Sequence, residues 1–369
     1  MRKGLAAAGV VALISVGSVA CGADKPTTPQ GKVSDAFTKL DKQSTVTLDL
    51  SIDGSADQIY ASMKDEDGFT QADAKLLSSL HISVAASSKQ QFSLLSKAKS
   101  TAGTSADLAL TSEDVVGGNL LEVRTVGQKV YIRFDVKGLE KLDVDPSASD
   151  TKGIDEANQF IDKADQLPAS LASVKAALKG QWVSIDPKAY EQFVQSMAGS
   201  LGGSSSTDSL SNFKLDATTQ KQALAAIHAA LTKNVTYKDA GSKDGADHVQ
   251  VSVPAQQFAK DIATGLAPVV KQFPGVKESD LTDFENADGV PAKTVTADVA
   301  IKNGSLTSIT FNLGQLDSGV VGSLPLTLGF TGSAKPISAP AGAQTLNPQD
   351  IMGFVMSAAG EGSSDDSSF

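Results

Sequence analysis

Apolar residues alternate with polar ones along several stretches of this 369-residue chain. The clearest stretches are 46–52, 130–136, 249–253, 295–301 and 324–330. Such alternation places apolar side chains on one face of a strand and polar side chains on the other. The strands of a parallel sheet, which are buried on both faces, form continuous apolar runs instead. The pattern therefore predicts an antiparallel sheet with one buried face.

Three dipeptides between these strands have the chemistry of tight hairpin turns. Gly127-Gln128 has glycine first, which is typical of a type II′ turn. Asn303-Gly304 matches a type I′ turn, in which both central residues have positive φ. Asp244-Gly245 marks a third hairpin turn. We therefore predict a hairpin at each dipeptide.

Helical patterns occupy the middle of the chain. Pro254 leads into a helix with one apolar face, formed by Phe258, Ile262, Leu266, Val269 and Phe273. Asp186-Pro187 has a capping residue before a proline and begins a second helix, which carries Tyr190, Phe193, Val194 and Met197. Further helices are predicted over 154–178 with a break near Pro168, from Asp216, from Asn347, and in an insertion over 58–80.

This order of strands, helices and strands predicts an α+β domain over residues 35–345. It forms one unit or two pseudo-repeats, 35–180 and 181–345. A short helix and a disordered tail are expected over 346–369, where glycine, serine and aspartate accumulate at the end.

The N-terminus has the features of a bacterial lipoprotein signal. Arg2 and Lys3 precede an uncharged apolar stretch that ends at Ala20 and is too short for a stable membrane span. Cys21, the only cysteine, follows directly, although Ser18 stands where a lipobox usually has leucine. We expect a signal peptide over 1–20, a lipidated Cys21, a flexible spacer over 21–34 and attachment to the outer face of the cell membrane. The alternative is an ordinary secretory signal followed by an incidental cysteine.

The charge balance restricts the partners. Of 32 basic residues, two (Arg2 and Lys3) lie in the signal, so the mature chain has 30 against 42 acidic residues, a net charge of −12. This acidity argues against nucleic acid and against electrostatic adhesion to anionic lipid headgroups. The membrane attachment is therefore expected to come from acyl chains on Cys21. A single cysteine also excludes an intramolecular disulfide.

Catalytic and metal-binding patterns are weak. His81, His228 and His248 have no metal-ligand spacing, and the S-x-x-K matches at Ser96 and Ser211 lack the companion motifs of acyl-transfer enzymes. The acidic segment 283–289 resembles a calcium loop only loosely, because it lacks the twelve-residue spacing and closing glutamate. We therefore expect no enzyme activity, no cofactor and no bound metal.

The chain resembles the LolA-like superfamily of bacterial lipoproteins, which includes the mycobacterial lipid-binding proteins LppX and LprG. The resemblance depends on Cys21, on the segment 35–40 before the first strand, on the hairpin with Gly127, on 182–186 before a helix, and on the late strands around Asn303. It implies a strongly curved, unclosed antiparallel half-barrel wrapped around central helices, with acyl chains held between sheet and helices.

Two functions from different classes fit this interpretation. The first is a carrier that binds a lipid or an acylated molecule for transport or presentation in the cell envelope. The second is an interaction scaffold with a packed core and no ligand. If the protein is a carrier, we expect its cavity to be lined by Phe258, Ile262, Leu266, Phe273, Phe193 and Met197. Periodicity alone cannot separate cavity lining from ordinary core packing.

Overall fold

Strands from both ends of the chain pair into one sheet that does not close on itself. The computed structural model describes residues 27–66, 68–92, 103–115, 118–140, 142, 161–193, 233–267, 292–316, 319–332 and 335–361. Within these ranges the sheet has twelve strands in the order β12-β6-β5-β4-β3-β2-β1-β11-β10-β9-β8-β7. The predicted α+β class with an unclosed sheet is confirmed. The expected central helix from Asp216 lies outside the described residues.

The strands have the following bounds: β1 Thr45–Ile52, β2 Leu80–Ser88, β3 Thr104–Ser112, β4 Asn119–Val126, β5 Lys129–Phe134, β6 Val183–Ile185, β7 Thr236–Lys243, β8 Ala246–Pro254, β9 Thr294–Lys302, β10 Ser305–Asn312, β11 Pro325–Gly332 and β12 Gln344–Thr345. Neighbouring strands are antiparallel except β12 and β6, which form a short parallel pair where Gln344 lies opposite Val183. The sheet, predicted as antiparallel, therefore includes one short parallel pair at this edge. β1 pairs with both β2 and β11 and so joins the early and late strands.

The helices have the following bounds: α1 Pro29–Asp41, α2 Ala56–Met63, α3 Gln71–Ser79, α4 Val136–Glu140, α5 Ala172–Leu178, α6 Ala255–Leu266 and α7 Pro348–Glu361. Residues 187–193 are also helical, as Asp186-Pro187 predicts. The helical insertion over 58–80 is confirmed as α2 and α3, each of which begins with a capping box. None of the helices described is both long enough and apolar enough to cross a membrane.

Three sequence predictions need correction. α1 begins at Pro29, inside the segment predicted as spacer, because the Thr28 side chain accepts a hydrogen bond from the Gly31 N–H and proline fits the first turn. Val136 begins α4 rather than continuing β5. Gly127 and Gln128 have φ values of 58° and 73°, so their turn is of the I′ type and not II′. The turns at Asp244-Gly245 and Asn303-Gly304 also have two positive φ values, as expected.

The strand directions give the sheet two different ends. At the hairpin end lie the turns at 127–128, 244–245 and 303–304, together with the start of β1 and the end of β2. At the helix end, α2 and α3 connect β1 to β2 and pack Ile59 and Ala74 against Leu324 before β11. The ends therefore differ in composition: tight turns form one and short helices cover the other.

Candidate functional site

One face of the sheet carries apolar side chains from β11 to β5. The register places Leu48 of β1 opposite Val84 of β2, Val84 opposite Leu108 of β3, and Leu108 opposite Val123 of β4. On the other side, Leu48 lies opposite Phe330 of β11. Residues at the same level of neighbouring strands point to the same face. The apolar alternation of the separate strands thus combines into one continuous surface.

The part of this face on β8–β11, here called the covered half, is a packed core. Val249, Val299, Ile309 and Phe311 are each at most 2% exposed. α1 lies over them and contributes Val33, Ala36 and Phe37 to the same cluster. Burial of whole aliphatic and aromatic side chains is the largest stabilising contribution available to a chain that has no disulfide.

The part on β2–β5, here called the open half, remains accessible. Ile82, Val84, Leu108 and Phe134 are 39%, 40%, 42% and 39% exposed. Ile82, Val84 and Leu108 are direct or diagonal neighbours on β2 and β3, and Phe134 lies opposite Leu121 of β4. Contiguous exposed apolar patches mark binding surfaces more often than isolated exposed residues do. The open half is the candidate functional site.

Towards the helix end, a small hydrophobic cluster covers the apolar face of β2 and β3. Leu80 and Leu110 of the same face pack against a small cluster formed by Val115, Leu120 and Leu142. Leu120 is the extra residue where the β3–β4 register shifts, and it is fully buried. The exposed Val84 and Leu108 lie at the middle of these two strands, further from the helix end than Leu80 and Leu110.

The opposite face of the same strands is polar and carries a buried charge cluster. Glu122 is 5% exposed and accepts hydrogen bonds from Arg124 and from Arg133, the latter at 2.8 Å. The Arg124 Nε also donates to Asp107 at 2.8 Å. Both guanidinium groups lie over the ring of Trp182, at 4.9 and 5.3 Å from its centroid. β3, β4 and β5 each contribute at least one side chain to this cluster. The cluster therefore crosslinks these three strands on the face opposite the open half.

Burial raises the pKa of Asp107 above its usual value, although the neighbouring Arg124 acts in the opposite direction. The Asp107 Oδ1 and the Arg133 Nε are buried without a hydrogen-bond partner. Both residues already engage other members of the cluster through their remaining atoms. The arrangement is therefore a structural ion-pair network, and its charged atoms point towards one another.

A cavity of about 400 Å³ lies elsewhere, at the helix end between α2 and the start of β11. It is lined by Asp53, Gln58, Ala61, Ser62, Ser323, Leu324 and Pro325. This mixture of polar and small residues contrasts with the open half and includes none of its four exposed side chains. The cavity therefore does not extend the apolar site.

Each of the two described histidines lies beside one carboxylate. The His248 Nδ1 lies 2.6 Å from the Asp298 Oδ2, and the His81 Nε2 lies 3.7 Å from the Glu113 Oε1. His228, Ser96, Ser211 and the segment 283–289 lie outside the described residues. Across the described ranges, no group of three or more histidine, cysteine, aspartate or glutamate side chains is placed to hold a metal ion.

The predicted lining residues stay predictions. Phe258 is half-buried on α6, which follows and contacts β8, and Phe193 is half-buried at the end of the helical residues 187–193. Ile262 and Leu266 belong to α6, but the structure does not describe their side chains. Phe273, Met197 and Cys21 lie outside the described residues.

Sequence reasoning missed three of the four exposed residues of the open half. Ile82, Val84 and Leu108 belong to β2 and β3, two strands that were not identified individually. Both strands do alternate, but with alanine and serine between the larger residues, so the signal is weak. Phe134 belongs to the predicted strand over 130–136.

Comparisons with known proteins add little. No protein-family model matches the chain, and no curated protein matches it either. Among solved structures, it is similar to the lipoprotein LppX of Mycobacterium tuberculosis, with 11% identity over 84% of this chain and 96% of that chain and a TM-score of 0.29. This is a weak, fold-level resemblance.

Proposed function

We propose that this chain is an extracytoplasmic lipoprotein, anchored through Cys21, that binds a lipid or an acylated molecule on the open half without enzymatic chemistry. The observation that carries the proposal is the exposure of Ile82, Val84, Leu108 and Phe134 on one face of a sheet whose other half is buried. The N-terminal signal with Cys21 supports the anchor and the envelope location.

The physical argument begins with the free energy of the exposed side chains. Burying a whole side chain of this kind contributes roughly 1.5–3 kcal/mol. Covering the exposed two-fifths of four of them therefore contributes about 2–5 kcal/mol in total. A ligand that supplies this cover must itself be apolar, since a polar group brought there would lose its hydration without gaining a hydrogen bond.

The dimensions of the open half favour a chain-shaped ligand. β2 to β5 are four neighbouring strands, and three strand spacings extend about 14 Å. Exposed side chains two residues apart on one strand, such as Ile82 and Val84, are separated by about 7 Å. A strip of this width and length fits an extended acyl chain that lies across the strands.

Ligand analysis with matched variants tests this proposal. Protein purified from a bacterial envelope is expected to carry lipid, detectable by native mass spectrometry and by organic extraction. Val84→Asp and Leu108→Asp place a carboxylate in the open half and should strongly reduce loading. Val321→Asp is the control, because Val321 is 53% exposed but lies outside the open half. Lipid-free parent protein, or equal loading of all variants, would favour the packed-core scaffold.

The predicted lining residues on α6 can be tested in the same assay. Ile262→Trp and Leu266→Trp add volume at the positions that the sequence assigns to the cavity. A cavity accepts extra volume that a packed core resists. If α6 borders the bound ligand as well, these variants should lose bound lipid while keeping the parent's thermal midpoint. A variant that simply unfolds would place its residue in the core.

The anchor has a separate test. Cys21→Ser should prevent lipidation, so the protein should stay unprocessed or be released from membranes. An unchanged mass of the N-terminal peptide and unchanged membrane fractionation would rule out lipidation at Cys21.

A further inference from the structure

The lysines and carboxylates of this acidic protein are unevenly distributed between the two ends of the sheet. The hairpin end comprises the described residues of 27–45, 87–92, 103–105, 126–130, 238–248, 301–306 and 331–339. Its charged residues are nine lysines (Lys32, Lys39, Lys42, Lys89, Lys129, Lys238, Lys243, Lys302 and Lys335) and five aspartates (Asp35, Asp41, Asp239, Asp244 and Asp247). Its net charge is therefore +4.

The helix end has the opposite sign. It comprises the described residues of 52–79, 112–120, 134–137 and 292–295. Its charged residues are eight carboxylates (Asp53, Asp57, Asp65, Glu66, Asp73, Glu113, Asp114 and Asp135) and four lysines (Lys64, Lys75, Lys137 and Lys293). The net charge there is −4. Strands of eight or nine residues hold the two ends about 25–30 Å apart.

Part of the positive charge is available to a partner. Lys129, Lys243 and Lys302 lie in or beside the three type I′ turns and are exposed. Lys32, by contrast, is held between Asp239 and Asp247 at 3.4 and 3.1 Å. The turns therefore present lysines from three separate hairpins at one end of the molecule.

The chain also enters the fold at this end. Lys32 near the start of α1 contacts the β7–β8 hairpin, and the Lys39 Nζ donates to the Asn303 carbonyl in the β9–β10 turn. Six residues, 22–27, lie between Cys21 and Thr28, the N-cap of α1, and a fully extended chain over these seven residue steps spans only about 25 Å. A lipid on Cys21 would thus keep the hairpin end close to the bilayer.

We infer that the hairpin end is a docking surface for anionic phospholipid headgroups, so that the sheet stands with its lysine-bearing turns on the membrane and its acidic end away from it. An anionic surface attracts the lysines when the hairpin end is near it and repels the carboxylates when the helix end approaches it. Each effect acts within a Debye length of about 10 Å, and both favour the same orientation. The net charge of −10 does not reveal this separation of positive and negative ends, because it is a sum over the whole chain. This inference rests on the proposed anchor at Cys21.

The test measures which end lies near the membrane. The full chain is reconstituted in vesicles of phosphatidylglycerol and phosphatidylcholine that contain an acceptor-labelled lipid. A donor dye is attached through Gln90→Cys at the hairpin end or Gln71→Cys at the helix end, two exposed glutamines of matched chemistry. We expect stronger energy transfer from position 90 than from position 71. The difference should decrease at high ionic strength and in vesicles of phosphatidylcholine alone.

Charge reversal provides the matched control. Lys129→Glu/Lys243→Glu/Lys302→Glu should abolish the difference between the two positions. Lys64→Glu/Lys75→Glu/Lys260→Glu changes the net charge equally, at residues away from the hairpin end, and should preserve it. Circular dichroism of both triple variants checks folding. Equal energy transfer from positions 90 and 71, or equal effects of the two triple variants, would overturn the inference.

The same experiment also tests the proposed lipid anchor at Cys21. The parent chain has Cys21 as its only thiol. If Cys21 is lipidated, the parent does not take up dye and floats with vesicles of either composition. A parent that labels and does not float contradicts the proposed anchor. A chain that floats but shows no preferred end contradicts only the docking surface.

Discussion

The covered half and the open half are built from the same alternating pattern on one sheet face, yet they differ in burial. Ile309 and Phe311 in the covered half are 2% exposed, whereas Val84 and Leu108 in the open half are about 40% exposed. α1 packs against β9 and β10 and supplies the cover of the covered half. Alternation thus determines which face is apolar, and the cover supplied by another element determines whether that face becomes a core or a site.

The two halves also differ on the opposite face. Behind the open half, Glu122 is held by Arg124 and Arg133, whose guanidinium groups lie over Trp182. Behind the covered half lie pairs of small hydroxyl residues, such as Thr310 with Thr327 and Ser252 with Thr296, together with the pair of His248 and Asp298. The strands with less apolar burial are therefore crosslinked by a larger charge cluster, in which two arginines contact two carboxylates.

The largest expected effect comes from truncating one phenylalanine in each half. Phe311→Ala removes a fully packed ring and should lower the free energy of unfolding by about 3–5 kcal/mol. Phe134→Ala removes a ring that is already 39% exposed and should cost less than half as much. Chemical denaturation of both variants measures the difference. Equal losses would show that the open half is packed as tightly as the covered half.

A smaller effect is expected from breaking the charge cluster. Arg124→Ala leaves the buried Glu122 with Arg133 alone and should lower the free energy of unfolding by about 2–4 kcal/mol. Lys137→Ala removes an exposed ion pair with Asp162 and is the control, with an expected change within about 0.5 kcal/mol. If both variants unfold at the same denaturant concentration, the cluster does not stabilise the open half.

The hairpin turns allow a comparison that is independent of burial. Gly304 beside the covered half and Gly127 beside the open half both have positive φ. Gly304→Val and Gly127→Val should each cost about 1–3 kcal/mol, because a β-branched residue is strained there wherever the turn lies. Gly329→Ala is the control, since its backbone is extended and an added Cβ would lie 3.8 Å from Asp49. A thermal midpoint of Gly304→Val equal to the parent's would contradict local strain.

Much of the fold follows from local signals in the sequence. The alternation at 46–52 and 249–253, the turn at Asn303-Gly304 and the proline before α6 each depend on neighbouring residues only, and each is confirmed. The site does not follow in the same way. Whether Val84 is core or surface depends on which other elements pack on its face, whereas alternation depends only on adjacent residues.

The failed predictions have a similar cause. The type of the turn at Gly127 depends on φ of Gln128, and the sequence indicated only that a glycine comes first. The net charge is a sum over the whole chain, so it cannot report that strand directions collect lysines from three hairpins at one end. Such properties require the three-dimensional arrangement.

The smallest expected effect concerns the pH dependence of α5, the helix that contacts β5 and β6 beside the open half. Hydrogen bonds and charge attraction from Lys175 and Lys179 lower the pKa of Asp165 from 3.8 to about 2. A carboxyl whose folded pKa is lowered stabilises the protein above its ordinary pKa, and that contribution is lost as the pH falls from about 4 to 2. Asp165 is solvent-exposed, so screening keeps the effect small.

Asp165→Asn should therefore lower the thermal midpoint slightly at about pH 6 and match the parent near pH 2, where the wild-type carboxyl is itself becoming protonated. In a Lys175→Met/Lys179→Met background the same substitution should have no pH-dependent effect, because the two cations that shift the pKa are gone. Thermal melts of the four proteins across this pH range measure the difference. A constant offset between Asp165→Asn and the parent at every pH would mean that Asp165 stabilises α5 through neutral hydrogen bonding, and that the open half is bordered by a helix whose attachment does not depend on charge.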